Sequence, residues 1–254
     1  MKSILIAFSM YSKIPMPQIP WEKRALSWAL CAFPLVGAVI GAALYGWLRL
    51  AMLLELTTLG AMGALLIPLA LSGAIHMDGF CDTCDALSSH QNRERKLEIL
   101  KDSHTGAFAI ICCGLYFLLF YAAWREVELD PEMALLLGLT PVLSRCLSGL
   151  AAVSFRNARG SGLLATFTEP MDAGKARVLL ATLTALTAAG IVAVSPVMGI
   201  AVVLTAALVF TYYRIVSYRQ LGGITGDTEG FFLQICECAM VIAAVLGQKV
   251  GELL

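Results

Sequence analysis

Residues 105–124 read TGAFAIICCGLYFLLFYAAW, twenty positions without a charged side chain. As a helix this run rises about 30 Å, the thickness of the hydrocarbon core of a bilayer. Its apolar residues follow one another without alternating, which suits a helix that satisfies its own backbone and not a barrel strand. Six further runs share its character, at 27–48, 56–75, 133–153, 178–194, 197–213 and 231–248. The chain therefore reads as an all-α polytopic membrane bundle of about seven transmembrane helices. Composition agrees: 59% of residues are apolar and 14% charged, with a mean hydropathy of +0.79, where a soluble domain carries roughly 25% charged residues. A disordered chain, a coiled coil and an ordinary cytosolic enzyme are excluded.

The Lys and Arg residues between these runs set an expected orientation. Fourteen of the eighteen fall before the first run or in the loops after the second, fourth and sixth. Arg49, Arg125 and Lys249 fall on the other side, and Arg145 lies inside a span. The asymmetry predicts a multi-pass protein of the inner (cytoplasmic) membrane, with a cytoplasmic N-terminus and an external C-terminus. The polar loops 76–104, 154–177 and 218–230, and with them the active site, then face the cytoplasm. Ser195-Pro196 predicts a tight turn between the fifth and sixth spans, and residues 1–13 a short apolar segment lying on the surface. No removable signal peptide is expected, and residues 1–254 read as a single membrane-embedded domain. The net charge of zero shows no nucleic-acid footprint. The eight cysteines sit in largely apolar settings and read as packing residues, not as a disulfide framework.

Four polar clusters carry the chemistry. The first is Gly73-Ala-Ile-His76-Met-Asp78-Gly79-Phe-Cys81-Asp82-Thr-Cys84-Asp85. On a helix, Asp78, Asp82 and Asp85 fall at i, i+4 and i+7 and share one face. Stacked like charges repel unless a cation or protons intervene, and oxygen-only ligands suit a hard ion such as Mg²⁺, completed by substrate phosphates. An acidic first helical turn accounts for a single charge but poorly for three at a membrane edge. Cys81 and Cys84 lack the second pair that a zinc site requires, so packing is the default for them.

The second cluster, Lys101-Asp102-Ser103-His104-Thr105-Gly106, reads as a phosphate-facing helix start. Asp102 or Ser103 alone reads equally as an N-cap, and His104 as a phosphate donor, a base or an interfacial side chain. In the third, Arg156 and Arg159 before Gly160-Ser161-Gly162 suit bidentate phosphate binding, and positive-inside anchoring accounts for them as well. The fourth is Leu221-Gly-Gly-Ile-Thr-Gly-Asp227-Thr-Glu229-Gly230, whose glycines permit close backbone approach. Glu237, one to two turns inside the following span, is costly there without a partner and is a functional candidate for that reason.

Together these motifs resemble the adenosylcobinamide-GDP ribazoletransferase (cobalamin 5′-phosphate synthase) family from about residue 5 to 245. The carriers are Gly73-x-x-His76-x-Asp78-Gly79-x-x-Asp82-Thr-Cys-Asp85, Lys101-Asp102-Ser103-x-x-Gly106 and Leu221-Gly-Gly-x-Thr-Gly-Asp227-Thr-x-Gly230, with Ile14-Pro-Met-Pro17 near the start. Ala86, His104 and Gln234 depart from the family pattern. The resemblance implies a transferase of the late lower-ligand step of vitamin B12 assembly. Adenosylcobinamide-GDP would react with α-ribazole or its 5′-phosphate, giving adenosylcobalamin or its 5′-phosphate and GMP by Mg²⁺-dependent phosphoryl transfer. It makes Asp82, Asp227 and His76 the catalytic candidates, and Lys101, Ser103, His104, Arg156 and Arg159 the substrate- and phosphate-binding ones. The Mg²⁺ ligands would come from Asp78, Asp82, Asp85, Asp102, Asp227 and Glu237. Expected partners are the two substrates and the lipid bilayer; a homo-oligomer or contact with other corrinoid-pathway enzymes is compatible with this.

Three other readings compete. A membrane phosphotransferase of the CDP-alcohol type also clusters aspartates, but its signature continues Asp-Gly-x-x-Ala-Arg, whereas Asp78-Gly-Phe-Cys is followed here by Asp82-Thr. A divalent-cation transporter would need acids near the midplane of several spans, and a scaffold subunit would need none of these motifs.

Overall fold

The computed structural model describes residues 1–102 and 104–253, less the side chains of residues 24, 252 and 253. In chain order its helices are α1 (Lys2–Tyr11), α2 (Lys23–Leu26), α3 (Phe33–Leu53, entered through a 3₁₀ turn at Leu30–Ala32), α4 (Thr57–Ser72), α5 (Ile75–Ser88), α6 (Arg93–Ile99), α7 (Ala107–Glu126), α8 (Pro131–Ser154), α9 (Leu163–Thr168), α10 (Ala173–Val194), α11 (Pro196–Leu221) and α12 (Gly226–Leu253). Six are long and apolar enough to cross a membrane: α3, α7, α8, α10, α11 and α12. The bent pair α4–α5 supplies a seventh where it counts as one span.

Local chemistry sets several of these ends. Asp130 caps α8 by accepting from the Met133 N–H at 2.7 Å, with Pro131 at the first helical position, where a missing N–H costs nothing. Pro196 opens α11 directly after Ser195, as the expected tight turn requires.

The second expected span differs from its sequence reading. It does not run straight through 56–75: α4 ends at Gly73, which with Ala74 adopts a left-handed conformation (φ +64° and +58°). Two such residues end a helix and redirect the chain, here by 94° into α5. The stretch after residue 75, expected as a cytoplasmic loop, is thus a helix packed against α12 and α7. Hydropathy is blind to this break because Gly73 and Ala74, which make it, add no polar side chain to the apolar run that ends at Ile75. Residues 1–13 hold α1, an apolar helix too short to span. Ile6, Ala7 and Phe8 are buried against the bundle, and the Tyr11 ring lies 4.4 Å from that of Phe33.

α8 and α12 form the buried centre, and α3, α5, α10 and α11 pack around them. α3 and α8 meet at Gly41 and Gly138, where a side chain on Gly41 would run into the Gly138 carbonyl. Small residues allow this close approach, as they do between membrane helices. Arg145 of α8, 1% exposed, pairs with Glu237 of α12. The Ser144 hydroxyl also donates to Glu237, at 2.8 Å. Outward positions stay apolar, with Leu118 and Leu208 each 70% exposed, as suits a surface facing lipid.

Candidate active site

α5 crosses α12 at two glycines. A Cβ on Gly79 would lie 2.7 Å from the Asp227 carbonyl oxygen, and one on Gly230 would lie 2.6 Å from that of His76. No side chain fits at either point, so the two backbones touch. The contact places Asp78 and Asp82 of α5 beside Asp227 in the first turn of α12. Asp82 is within electrostatic reach of Asp78, Asp227 and Asp85, and of one cation, Arg159.

Arg159 arrives on the segment after α8, which is clipped to the segment before α12. The Ile224 N–H donates to the Arg156 carbonyl and the Ala158 N–H to the Ile224 carbonyl, both at 2.8 Å. The Arg156 guanidinium donates to the Gly222 carbonyl, its Nε at 2.7 Å. Gly222 holds φ +75°, a conformation that costs a residue with a Cβ about 1 kcal/mol or more. Asn157 Oδ1 accepts from the Arg159 and Gly160 N–H groups. So positioned, Arg159 Nη2 lies 3.0 Å from Asp227 Oδ2.

Behind this charged cluster lies a cavity of ≈ 250 Å³. Asp78, Asp227 and Arg159 line it together with Tyr11, Phe33, His76, Ser148 and Glu229. His76 and Glu229 are buried, and the Ser148 hydroxyl donates to Glu229 Oε2 at 2.6 Å.

The remaining expected site residues lie as follows. Asp85 accepts from the N–H groups of Gly106 (2.6 Å) and Ala109 (2.8 Å) with its two oxygens. It therefore caps α7, and a Cβ on Gly106 would strike its carboxylate at 2.6 Å. Lys101, Asp102 and His104 stand exposed between α6 and α7. Asp102 accepts from the His104 N–H (3.0 Å) and pairs with its ring (2.6 Å), and these bonds hold its carboxyl below the usual carboxylate range. Ser103 lies outside the described residues. Arg156 is spent on the loop clip, and Glu237 on Arg145 in the core. Among the described residues no three His, Cys, Asp or Glu side chains converge as a metal cage. The Cys81 and Cys84 thiols meet those of Cys113 and Cys112 on α7, and all four are free.

The structure therefore brings together His76, Asp78, Asp82, Asp227 and Arg159. It adds Glu229, Ser148, Asn157 and Tyr11, which the sequence reading did not place in the site. One signal for Ser148 was present: with Ser144 it puts hydroxyls at i and i+4 beside Arg145 inside an apolar span, where polar groups are rarely idle.

The profile described as cobalamin-5-phosphate synthase matches residues 3–245. A protein of Lachnoclostridium phytofermentans named adenosylcobinamide-GDP ribazoletransferase is 43% identical over 252 residues, covering 98% of this chain and 95% of its own. Proteins of the same name from Pseudomonas savastanoi pv. phaseolicola (33% identical, covering 95% of this chain and 98% of that protein) and Clostridium perfringens strain 13 (32%, covering 93% and 94%) are also similar. No solved structure matches the chain. With its two aspartate motifs joined at one cavity inside a bundle of membrane-type helices, the chain belongs to the cobalamin-5-phosphate synthase family and is a transferase of cobalamin synthesis.

Proposed function

We propose that the protein joins adenosylcobinamide-GDP to α-ribazole or its 5′-phosphate, yielding adenosylcobalamin or its 5′-phosphate and GMP. One observation carries the chemistry: the Gly79–Gly230 crossing sets Asp78 and Asp82 against Asp227 and Arg159 at the edge of the cavity. In the reaction the ribose hydroxyl oxygen bonds to the cobinamide-side phosphorus. The bond from that phosphorus to the bridging oxygen breaks, and GMP leaves with the electron pair. Asp227, paired with Arg159, would take the hydroxyl proton, and Arg159 would also neutralise charge on the diphosphate.

The residues fit Mg²⁺ on chemical grounds. The cluster offers only carboxylate oxygens with one cation among them, and Mg²⁺ is commonly held by one or two carboxylates plus substrate phosphates, not by a closed protein cage. Asp78 and Asp82 would hold it together with oxygens of the substrate diphosphate, and it would supply charge neutralisation there. Asp85 serves this arrangement from outside, by fixing α7 against the acidic helix. The surplus of Lys and Arg on one side favours a site facing the cytoplasm of the inner membrane.

The test is GMP release, followed with corrinoid mass, by purified protein in lipid vesicles given both substrates and Mg²⁺. Asp82→Asn should abolish turnover in a folded protein, and a chelator should do the same reversibly. Near-normal turnover in Asp82→Asn overturns the carboxylate assignment; no GMP from folded wild type overturns the reaction.

A further inference from the structure

Buried polar side-chain atoms normally have partners, and an unpartnered one marks a place where a partner is missing. Among the described residues the unpartnered atoms include His76 Nε2, Asn157 Nδ2, Glu229 Oε1 and Arg159 Nε. All four residues line the one cavity beside Asp78 and Asp227. His76 is 6% exposed and Glu229 8%. Leaving such groups without partners is costly, most of all for a carboxylate. The Tyr213 hydroxyl contacts the Thr228 hydroxyl at 3.4 Å and is a further neighbour of the Glu229 carboxyl, but no donor meets Oε1 in hydrogen-bond geometry.

The same cavity has a flat, apolar side. The His76 ring lies 5.7 Å from Phe33 and 6.3 Å from Tyr11, nearly parallel to the latter at 20°. Leu30, Leu164 and Leu233 complete that wall. The volume of ≈ 250 Å³ lies near the lower end of small-molecule sites, about 300–1,000 Å³. It has room for one aromatic base with its sugar, not for a corrin macrocycle.

We infer that this cavity is the subsite of the acceptor nucleoside, its base against Tyr11 and Phe33, and that Glu229 and Asn157 are positioning residues for it. The inference rests on the transfer reaction proposed above. Glu229 Oε1 accepts from a sugar hydroxyl, Asn157 Nδ2 donates to a sugar or phosphate oxygen, and His76 Nε2 meets a ring nitrogen. The sugar then stands next to Asp78 and Asp227, where the attacking hydroxyl is needed. The corrinoid diphosphate approaches from outside the charged cluster.

The experiment is nucleoside binding without corrinoid, read by equilibrium dialysis of α-ribazole against wild type, Glu229→Gln and Asn157→Asp in lipid nanodiscs, with KM then measured separately for each substrate. Asn157→Asp keeps the Oδ1 bonds of its turn while removing the donor, so it serves even if Glu229→Gln, which loosens Ser148, folds poorly. Expected are nucleoside binding by wild type and a rise of roughly tenfold in the nucleoside Kd and KM in each variant, one hydrogen bond's worth. The KM for adenosylcobinamide-GDP should stay within about twofold. A rise in the corrinoid KM alone, or no change in either, overturns the subsite while leaving the reaction standing. Wild type that turns over neither substrate overturns the reaction, and the subsite with it.

Discussion

Replacing Gly79 with alanine tests the geometry that joins the two aspartate motifs. The new Cβ would sit 2.7 Å from the Asp227 carbonyl oxygen and 2.9 Å from its Cα. Both are backbone atoms and cannot swing aside. Ordinary contact begins near 3.4 Å, so α5 and α12 must part by about 0.7 Å. Overpacking of this kind costs roughly 1–3 kcal/mol, which a bundle with a core this extensive should survive. The reacting groups tolerate less, because a misplacement near 1 Å costs on the order of 100-fold in rate. We expect Gly79→Ala to fold, to melt earlier, and to release GMP about 10- to 100-fold more slowly at saturating substrate. The control is Gly190→Ala in α10, where a Cβ meets nothing within 4 Å; its activity should match wild type, with a gain of up to ~1 kcal/mol from helix propensity. Gly79→Ala within twofold of wild type would refute the close crossing as the device that sets the carboxylates.

Two further outcomes follow from the packing. Asp85→Ala removes the cap on α7 and should cost about 0.5–2 kcal/mol, read as a lower melting temperature that Asp85→Asn, which keeps an accepting oxygen, partly restores. Glu237→Ala strands Arg145 as an uncompensated buried charge and should cost roughly 3–5 kcal/mol, whereas the paired change Arg145→Met with Glu237→Leu should recover most of the thermal stability; a double variant no better than the single one would argue against the pair.

The apolar runs placed the long helices because some twenty apolar residues in succession match the thickness of a bilayer, and only a helix lets such a run bond its own backbone there. They could not reveal the bend at Gly73-Ala74, since the turn is made by the backbone dihedrals of two residues without polar side chains. Helical spacing put Asp78, Asp82 and Asp85 on one face, and α5 is indeed a helix. Spacing says nothing of what each acid meets, and Asp85 meets backbone amides more than twenty residues ahead in the chain. Asp227 was legible as a motif residue, but its neighbour Asp82 is brought to it only by glycine contact between helices distant in sequence. Glu229 was named in the motif with Asp227 but given no role, because its significance lies in burial, which a hydrophilic residue at the start of a span does not announce.

The elbow between α4 and α5 also bears on where in the membrane the reaction runs. Sixteen residues of α4 rise about 24 Å, some 6 Å less than the roughly 30 Å hydrocarbon slab. If Thr57 marks one boundary, the chain turns before reaching the other. The acidic helix then forms a ledge recessed below the headgroups, sheltered by its neighbours from acyl chains. A corrinoid resting its apolar face on the lipid could present its diphosphate to that ledge while remaining adsorbed, and two-dimensional diffusion, not release into bulk water, would deliver one substrate and carry away the product.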